Sequence, residues 1–268
     1  MERSICFVPL EGLCNRMRAM ASGVYIANKL NSSITIYWKK SHECFADFTE
    51  LFLPIDGQNI KVRPYPWNGF YLAVDRKKNF YIPGIIRRFI FDDQIIGKKE
   101  CLDERLFENF RDGKIFMTSC YSLTRYYSLT ELFVPVPELS DRINQMKQRF
   151  SENVIGIHIR RGDNIHSIRK NDVEDYFSFM DSEIATEPET RFYLATDSVE
   201  VKKEMTNRYG DRMLYHDAVL ERDSVQGMKD AVVDLWCLGL TKRIIGSYYS
   251  SYSEIAAEMG GIELTILE

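Results

Sequence analysis

A chain of 268 residues with 45% hydrophobic and 28% charged side chains can bury a large core in one domain or two. Its net charge of −4 argues against a protein that coats nucleic acid, although a local basic cleft is compatible with it. The opening MERSICFVPL lacks a basic segment followed by a long apolar one, so no signal peptide is expected. No apolar stretch approaches a membrane span. The six cysteines are scattered without a CxxC pair, and none of the four histidines is spaced with them as a metal knuckle. Reduced cysteines, a cytoplasmic location and no structural zinc are expected.

In chain order, Ile5–Pro9 reads as a strand, Gly12-Leu13-Cys14-Asn15 as a turn, and Arg16–Leu30 as a helix. That helix has Met17, Met20, Val24 and Ala27 on one face and Asn15 as its N-cap. Ile34–Trp38 is the next strand. From about 41 to 130 the pattern degrades into prolines, aromatics and the basic pair Arg87-Arg88. Pro135 and Pro137 mark a linker, which predicts an N-terminal domain over 1–134 and a C-terminal one over 135–268. Leu139–Phe150 then reads as a helix.

Beyond it, strands and helices alternate. Val154–Ile159, Arg191–Ala195, Arg212–His216, Arg243–Gly246 and Ile262–Leu267 read as strands. Asp172–Ala185, Val199–Tyr209, Met228–Leu240 and Ser251–Met259 read as helices, the last stopped by Gly260-Gly261. Such alternation implies a parallel, doubly wound sheet. Two such units place a cleft between facing strand ends, where small polar ligands commonly bind.

The most informative stretch is Val154 to Asp163, a buried-strand run that delivers His158, Arg160, Arg161, Gly162 and Asp163 at its C-terminal end. Open α/β sheets bind ligands at that end. Two adjacent guanidiniums repel each other unless an anion joins them, and their planar forks suit phosphate oxygens. A structural Arg–Asp pair is the alternative. Three other segments sit at strand ends. Glu11 to Arg16 offers free N–H groups at a helix start, or a simple cap. Asp197 in Thr196-Asp197-Ser198 either caps the next helix or meets a ligand. Gly246 to Ser251 has hydroxyls suited to phosphate or to capping. Tyr248, Tyr249 and Tyr252 stack on a ring or pack. Asp234, amid apolar neighbours, accepts from a guanine edge or pairs with Arg243.

These pieces resemble the GDP-fucose-dependent fucosyltransferases, whose signature His-x-Arg-Arg-x-Asp stands here as His158-Ile159-Arg160-Arg161-Gly162-Asp163. Gly12-Leu13-Cys14-Asn15-Arg16, Thr196-Asp197-Ser198 and the run from Asp234 to Ser250 are similar to further family segments, in the family's order. The resemblance implies an α/β, GT-B-like architecture of two facing Rossmann-like domains with parallel sheets. The first would bind the acceptor and the second the nucleotide sugar. It also implies inverting, metal-independent transfer of fucose from GDP-fucose to a glycan hydroxyl. Another nucleotide sugar, or a non-catalytic binding relative, is the alternative.

Under that resemblance Arg160, Arg161 and Asp163 are catalytic. Arg160 and Arg161 hold the diphosphate, Asp163 orients them, and His158 supports that corner. Asp234 and Asp197 contact the nucleoside and Ser250 a phosphate. Gly12, Asn15 and Arg16 reach toward the sugar-phosphate. No metal or other cofactor is implied. The partners are a GDP-sugar donor and a glycan acceptor, with no nucleic acid, and with peripheral association at the membrane where acceptors are built. The α1,6 branch carries a glutamate just past the motif that this chain lacks. Glu11, Asp163 and His166 are the alternatives for the base, which stays unassigned.

Overall fold

The computed structural model describes residues 3–55, 57, 59–74, 81–97, 101–102, 110, 112–125, 127–161 and 172–267. The chain divides into two compact units, Met1–Val134 and Pro135–Glu268.

In the first unit, β1 (Ser4–Pro9), β2 (Ser33–Trp38), β3 (Ile60–Pro64), β4 (Asp93–Ile96) and β5 (Lys114–Ser119) form one parallel sheet in the order β3-β2-β1-β5-β4. The central strands β1 and β5 are nearly all buried, as strands covered on both faces must be. Helix α1 runs from Leu13 to Lys29 and is buried on Met17, Met20, Val24 and Ala27, the face its spacing predicts. It starts earlier than Arg16, with Gly12 in the N-cap position, so Asn15 lies in its first turn. Asn15 is therefore not the cap; its amide donates to Glu11 Oε2 at 2.8 Å. A one-turn helix, α2 (Phe48–Leu51), opens on Asp47 and packs its Phe48 ring against Trp38, Phe52 and Phe133. Helix α3 spans Tyr81–Ile90.

The second unit begins at α4 (Pro137–Lys147), with proline in the first turn where its missing N–H costs nothing. Strands β6 (Val154–Ile159), β7 (Arg191–Thr196), β8 (Met213–Leu214), β9 (Arg243–Gly246) and β10 (Glu263–Ile266) form a parallel sheet in the order β10-β9-β6-β7-β8. Helices α5 (Val173–Thr186), α6 (Val199–Tyr209), α7 (Val225–Gly239) and α8 (Ser251–Gly260) connect them. Each has a hydroxyl or carboxylate cap at its start: Asp172, Ser198, Ser224 and Ser250. Gly261, left-handed at φ 60°, ends α8 as the double glycine predicts. Ile155, Ile157 and Ile159 of β6 pack with Tyr176, Met180, Phe192 and Met205 to form the core.

The strand expected over 212–216 shrinks to Met213–Leu214, because this edge strand pairs with β7 through only two residues. Helix α7 opens a turn earlier than Met228, because the Ser224 hydroxyl accepts the Gly227 N–H at 3.0 Å.

Candidate functional site

The order of the second sheet reverses direction between β6 and β9. In open α/β sheets the crevice outside the carboxyl ends of those strands is the ligand position. The chain path leaving β6 is fixed from both sides there. Ser247, just past β9, accepts the Arg160 N–H on its Oγ at 2.9 Å and donates to the His158 carbonyl at 3.0 Å. Asp197, just past β7, accepts the Arg161 N–H at 2.7 Å. Ser198, not Asp197, caps α6, and the aspartate holds the Arg161 N–H instead. Tyr176 from α5 backs the corner, donating to the Gly246 carbonyl at 3.2 Å.

Ser247 belongs to the hydroxyl-rich segment from Gly246 to Ser251 that the sequence marks, whereas Tyr176 carries no site signal there. Gly246 is required beside them, since a Cβ there would meet Ser253 Oγ at 2.6 Å and Leu264 Cδ1 at 2.8 Å.

Both guanidiniums are half-buried, and that of Arg161 lies 3.7 Å from Asp172, the α5 cap. Gly162, Asp163 and His166 lie outside the described residues. His158 is 6% exposed and stacks on Tyr252, with ring centroids 5.0 Å apart. Burial, reinforced by the Arg160 charge, lowers its imidazole from an ordinary 6.5 to about 3. It is therefore neutral at physiological pH.

A histidine held neutral in the fold binds fewer protons than in the unfolded chain. Stability should fall as pH drops through the unfolded value toward the folded one. His158→Gln is expected to remove on the order of 3 kcal/mol of acid destabilisation between about pH 6.5 and about pH 4. Urea melts across that range test this; parallel pH slopes for the two proteins would refute it.

Asp234, buried on α7, accepts the Tyr193 hydroxyl at 2.5 Å and pairs with His216 Nδ1 at 2.9 Å, both through Oδ1. Burial and the Asp234 charge push the Tyr193 phenol well above its usual value, so it stays a donor. Pairing with Arg243 does not occur: that guanidinium bonds Glu183 at 2.6 Å and lies over Phe179. Asp230, one turn earlier, is buried against Arg142, accepts the Val219 N–H at 2.7 Å and Gln226 Nε2 at 2.9 Å. Spacing along the chain marked neither Asp230 nor His216 for this network.

Ser250 caps α8 by accepting the Tyr252 N–H at 3.4 Å, and a hydroxyl that accepts there keeps a proton to donate. Tyr252 donates to the Ala231 carbonyl at 2.5 Å and ties α8 to α7. Tyr249, before the cap, is left-handed at φ 56°, an uncommon conformation for a bulky residue. The β1–α1 turn of the first unit repeats the feature with Glu11 at φ 65°. Backbone strain of this kind collects where function fixes a loop.

In that turn Arg16 does not reach outward. It is 2% exposed, lies over Trp38, and donates to the carbonyls of Glu11 (2.5 Å) and Lys39 and to Ser41 Oγ (2.8 Å). The expectation of ligand contact by Arg16 is thus corrected: main-chain carbonyls consume its fork, and it builds the turn carrying Gly12 and Asn15. Arg16→Met should take the donor from the part-buried carbonyls of Glu11 and Lys39 and leave its pocket under Trp38 imperfectly filled, at a cost of about 2 kcal/mol. A urea midpoint equal to that of the parent chain would contradict this.

Two parallel five-stranded sheets, with adjacent arginines following the strand at the switch point of one, form a GT-B-like fold. Residues 124–251 match the family model described as alpha-(1,6)-fucosyltransferase N- and catalytic domains. Over that stretch the chain is similar to the fucosyltransferases that its motif resembles. A comparison with curated proteins finds no match.

Among solved structures, NodZ alpha-1,6-fucosyltransferase soaked with GDP-fucose superposes with a TM-score of 0.63 at 16% identity. That match covers 97% of this chain and 93% of that one; NodZ from Bradyrhizobium is also matched. A mutant of Arabidopsis thaliana FUT1 in complex with GDP gives a TM-score of 0.65 at 12% identity, over 99% of this chain and 70% of that one. POFUT1 in complex with GDP gives 0.57 at 9% identity, over 99% and 98%.

Among the described residues, no helix is long and apolar enough to cross a membrane.

Proposed function

We propose that this protein transfers fucose from GDP-fucose to a hydroxyl of a glycan acceptor, with inversion and without a metal. The observation that carries the reading is the placement of Arg160 and Arg161 at the C-terminal end of β6, beside the β6/β9 switch point, on a backbone clamped by Ser247 and Asp197. The acceptor oxygen attacks the anomeric carbon, the bond from that carbon to the β-phosphate oxygen breaks, GDP leaves with the electron pair, and the hydroxyl proton passes to a general base, for which Glu11, Asp163 and His166 are the alternatives. The negative charge that grows on the diphosphate is what fixed guanidiniums stabilise, at no reorganisation cost during the step. That is the work a divalent cation does in other transferases, so chelators are expected to leave activity intact.

In this reading Asp163 orients the arginines, and His158, neutral and stacked, shapes the same corner. Ser250 donates its hydroxyl proton to a phosphate. Asp234 accepts from the N–H edge of guanine, and its twice-bonded Oδ1 gives the carboxylate a fixed plane for doing so. The second unit holds the donor, with Asp197 near the nucleoside. The first unit takes the acceptor, and Gly12 and Asn15 serve the sugar-phosphate. The protein works in the cytoplasm, beside the membrane where acceptors are built.

Support comes from the family match over 124–251 and from GDP-fucose or GDP in the crystals of similar folds. The test is thermal stabilisation by GDP, UDP and ADP, followed by product analysis with GDP-fucose and glycan acceptors. GDP should raise the melting point most, as a ligand that binds only the folded state must. A larger shift with UDP, or binding with no fucosylated product, would overturn the assignment.

A further inference from the structure

Helix α3 in the first unit is inverted relative to an ordinary surface helix. Its buried residues are Pro83 and, one turn on, Arg87, which donates to the carbonyls of Tyr71 at 2.8 Å and Ala73 at 2.5 Å and lies over the Phe116 ring. With that position turned inward, Ile85 and Phe89, one helical turn apart, fall on the outward stripe, where Phe89 is 87% exposed. The Arg87 hydrogen bonds fasten this helix to the stretch 65–74, whose Trp67 is 98% exposed and whose Phe70 is more than half exposed.

The described residues of 61–74 and 81–90 carry four Lys and Arg and no Asp or Glu, in a chain of net charge −4. Lys61, Arg63 and Arg88 are exposed. Large exposed apolar residues gathered in this way mark an interaction surface. Aromatic rings flanked by bases are the composition of a surface seated at lipid headgroup level. A symmetric contact with a second copy would bring like charges together, whereas anionic headgroups complement them.

We propose that this face, formed by Trp67, Phe70, Ile85, Arg88 and Phe89, docks on an anionic lipid bilayer. The inference deepens the membrane association within the functional reading, by naming the surface and the lipid class.

The experiment is co-sedimentation of the full chain with vesicles of phosphatidylcholine alone, and of phosphatidylcholine containing one third phosphatidylglycerol. Binding is expected to the anionic vesicles only, and to fade at high salt. The double variants Trp67→Ser/Phe89→Ser and Arg63→Ser/Arg88→Ser should each bind at least about fivefold more weakly, from the worth of one base near such a surface. Their melting points, and the shift that GDP gives, should match those of the parent chain. Vesicle binding equal to the parent's in both variants would overturn the proposal. So would equal binding to neutral vesicles, or a dimer that forms through this face without any vesicle binding. A missing GDP shift with vesicle binding intact would instead count against the donor assignment alone.

Discussion

Alanine in place of Arg160 or Arg161 is expected to abolish detectable transfer and to weaken GDP binding by about 1.5–3 kcal/mol, the usual worth of a charge-assisted hydrogen bond. The loss in rate should exceed the loss in affinity, on the order of a hundredfold or more for a donor aimed at developing charge. Both variants leave the main-chain contacts of this corner in place. Ser247 and Asp197 hold the main-chain N–H groups of both residues, and alanine retains those groups. The melting point of the free protein should therefore stay near that of the parent, while calorimetry shows the loss of GDP affinity. Unchanged affinity in both single variants and the double variant would remove these arginines from the site.

The second large effect is expected at Asp234. Asp234→Asn should lose about 1.5–3 kcal/mol of GDP affinity, because an amide presents a donor where the guanine edge also presents donors. Affinity for UDP, which lacks that edge, should be unaffected, so the preference for GDP collapses. Asn also replaces a carboxylate that receives the Tyr193 hydroxyl and faces His216 Nδ1, and some stability loss is expected with it. The ratio of the two nucleotide affinities separates the effects, because general destabilisation lowers both alike. A preference for GDP that survives in Asp234→Asn would place base recognition elsewhere.

The parts of the fold that could be read residue by residue share one property. Strands β6 and β9 are buried on both faces and therefore appear as short apolar runs, and α6 is bounded by Ser198 and Gly210. The first unit was harder for a physical reason. Its β3 is a half-exposed edge strand and β4 has only four residues, so neither shows a strong period. In α3 Arg87 is buried while Ile85 and Phe89 are exposed, which defeats a pattern based on burial.

At the site the motif residues stand out as a local run and Asp197 as a strand-end carboxylate, but which groups hold which is not legible along the chain. Ser247 meets Arg160 across 87 positions of sequence, a pairing that only sheet topology creates. His216 and Asp230 join Asp234 through the return of the chain after β8. Arg16 shows the opposite error. An arginine beside a turn reads as a hand for a ligand, whereas its nitrogens are taken by main-chain carbonyls and a serine.

The proposed transfer requires that the two guanidiniums following β6 neutralise a diphosphate. A crystal of the full chain soaked with GDP tests it without intermediaries. Phosphate density within hydrogen-bonding distance of Arg160 and Arg161, with guanine against Asp234, is the predicted result. Nucleotide bound elsewhere, with both side chains turned onto carboxylates, would contradict it.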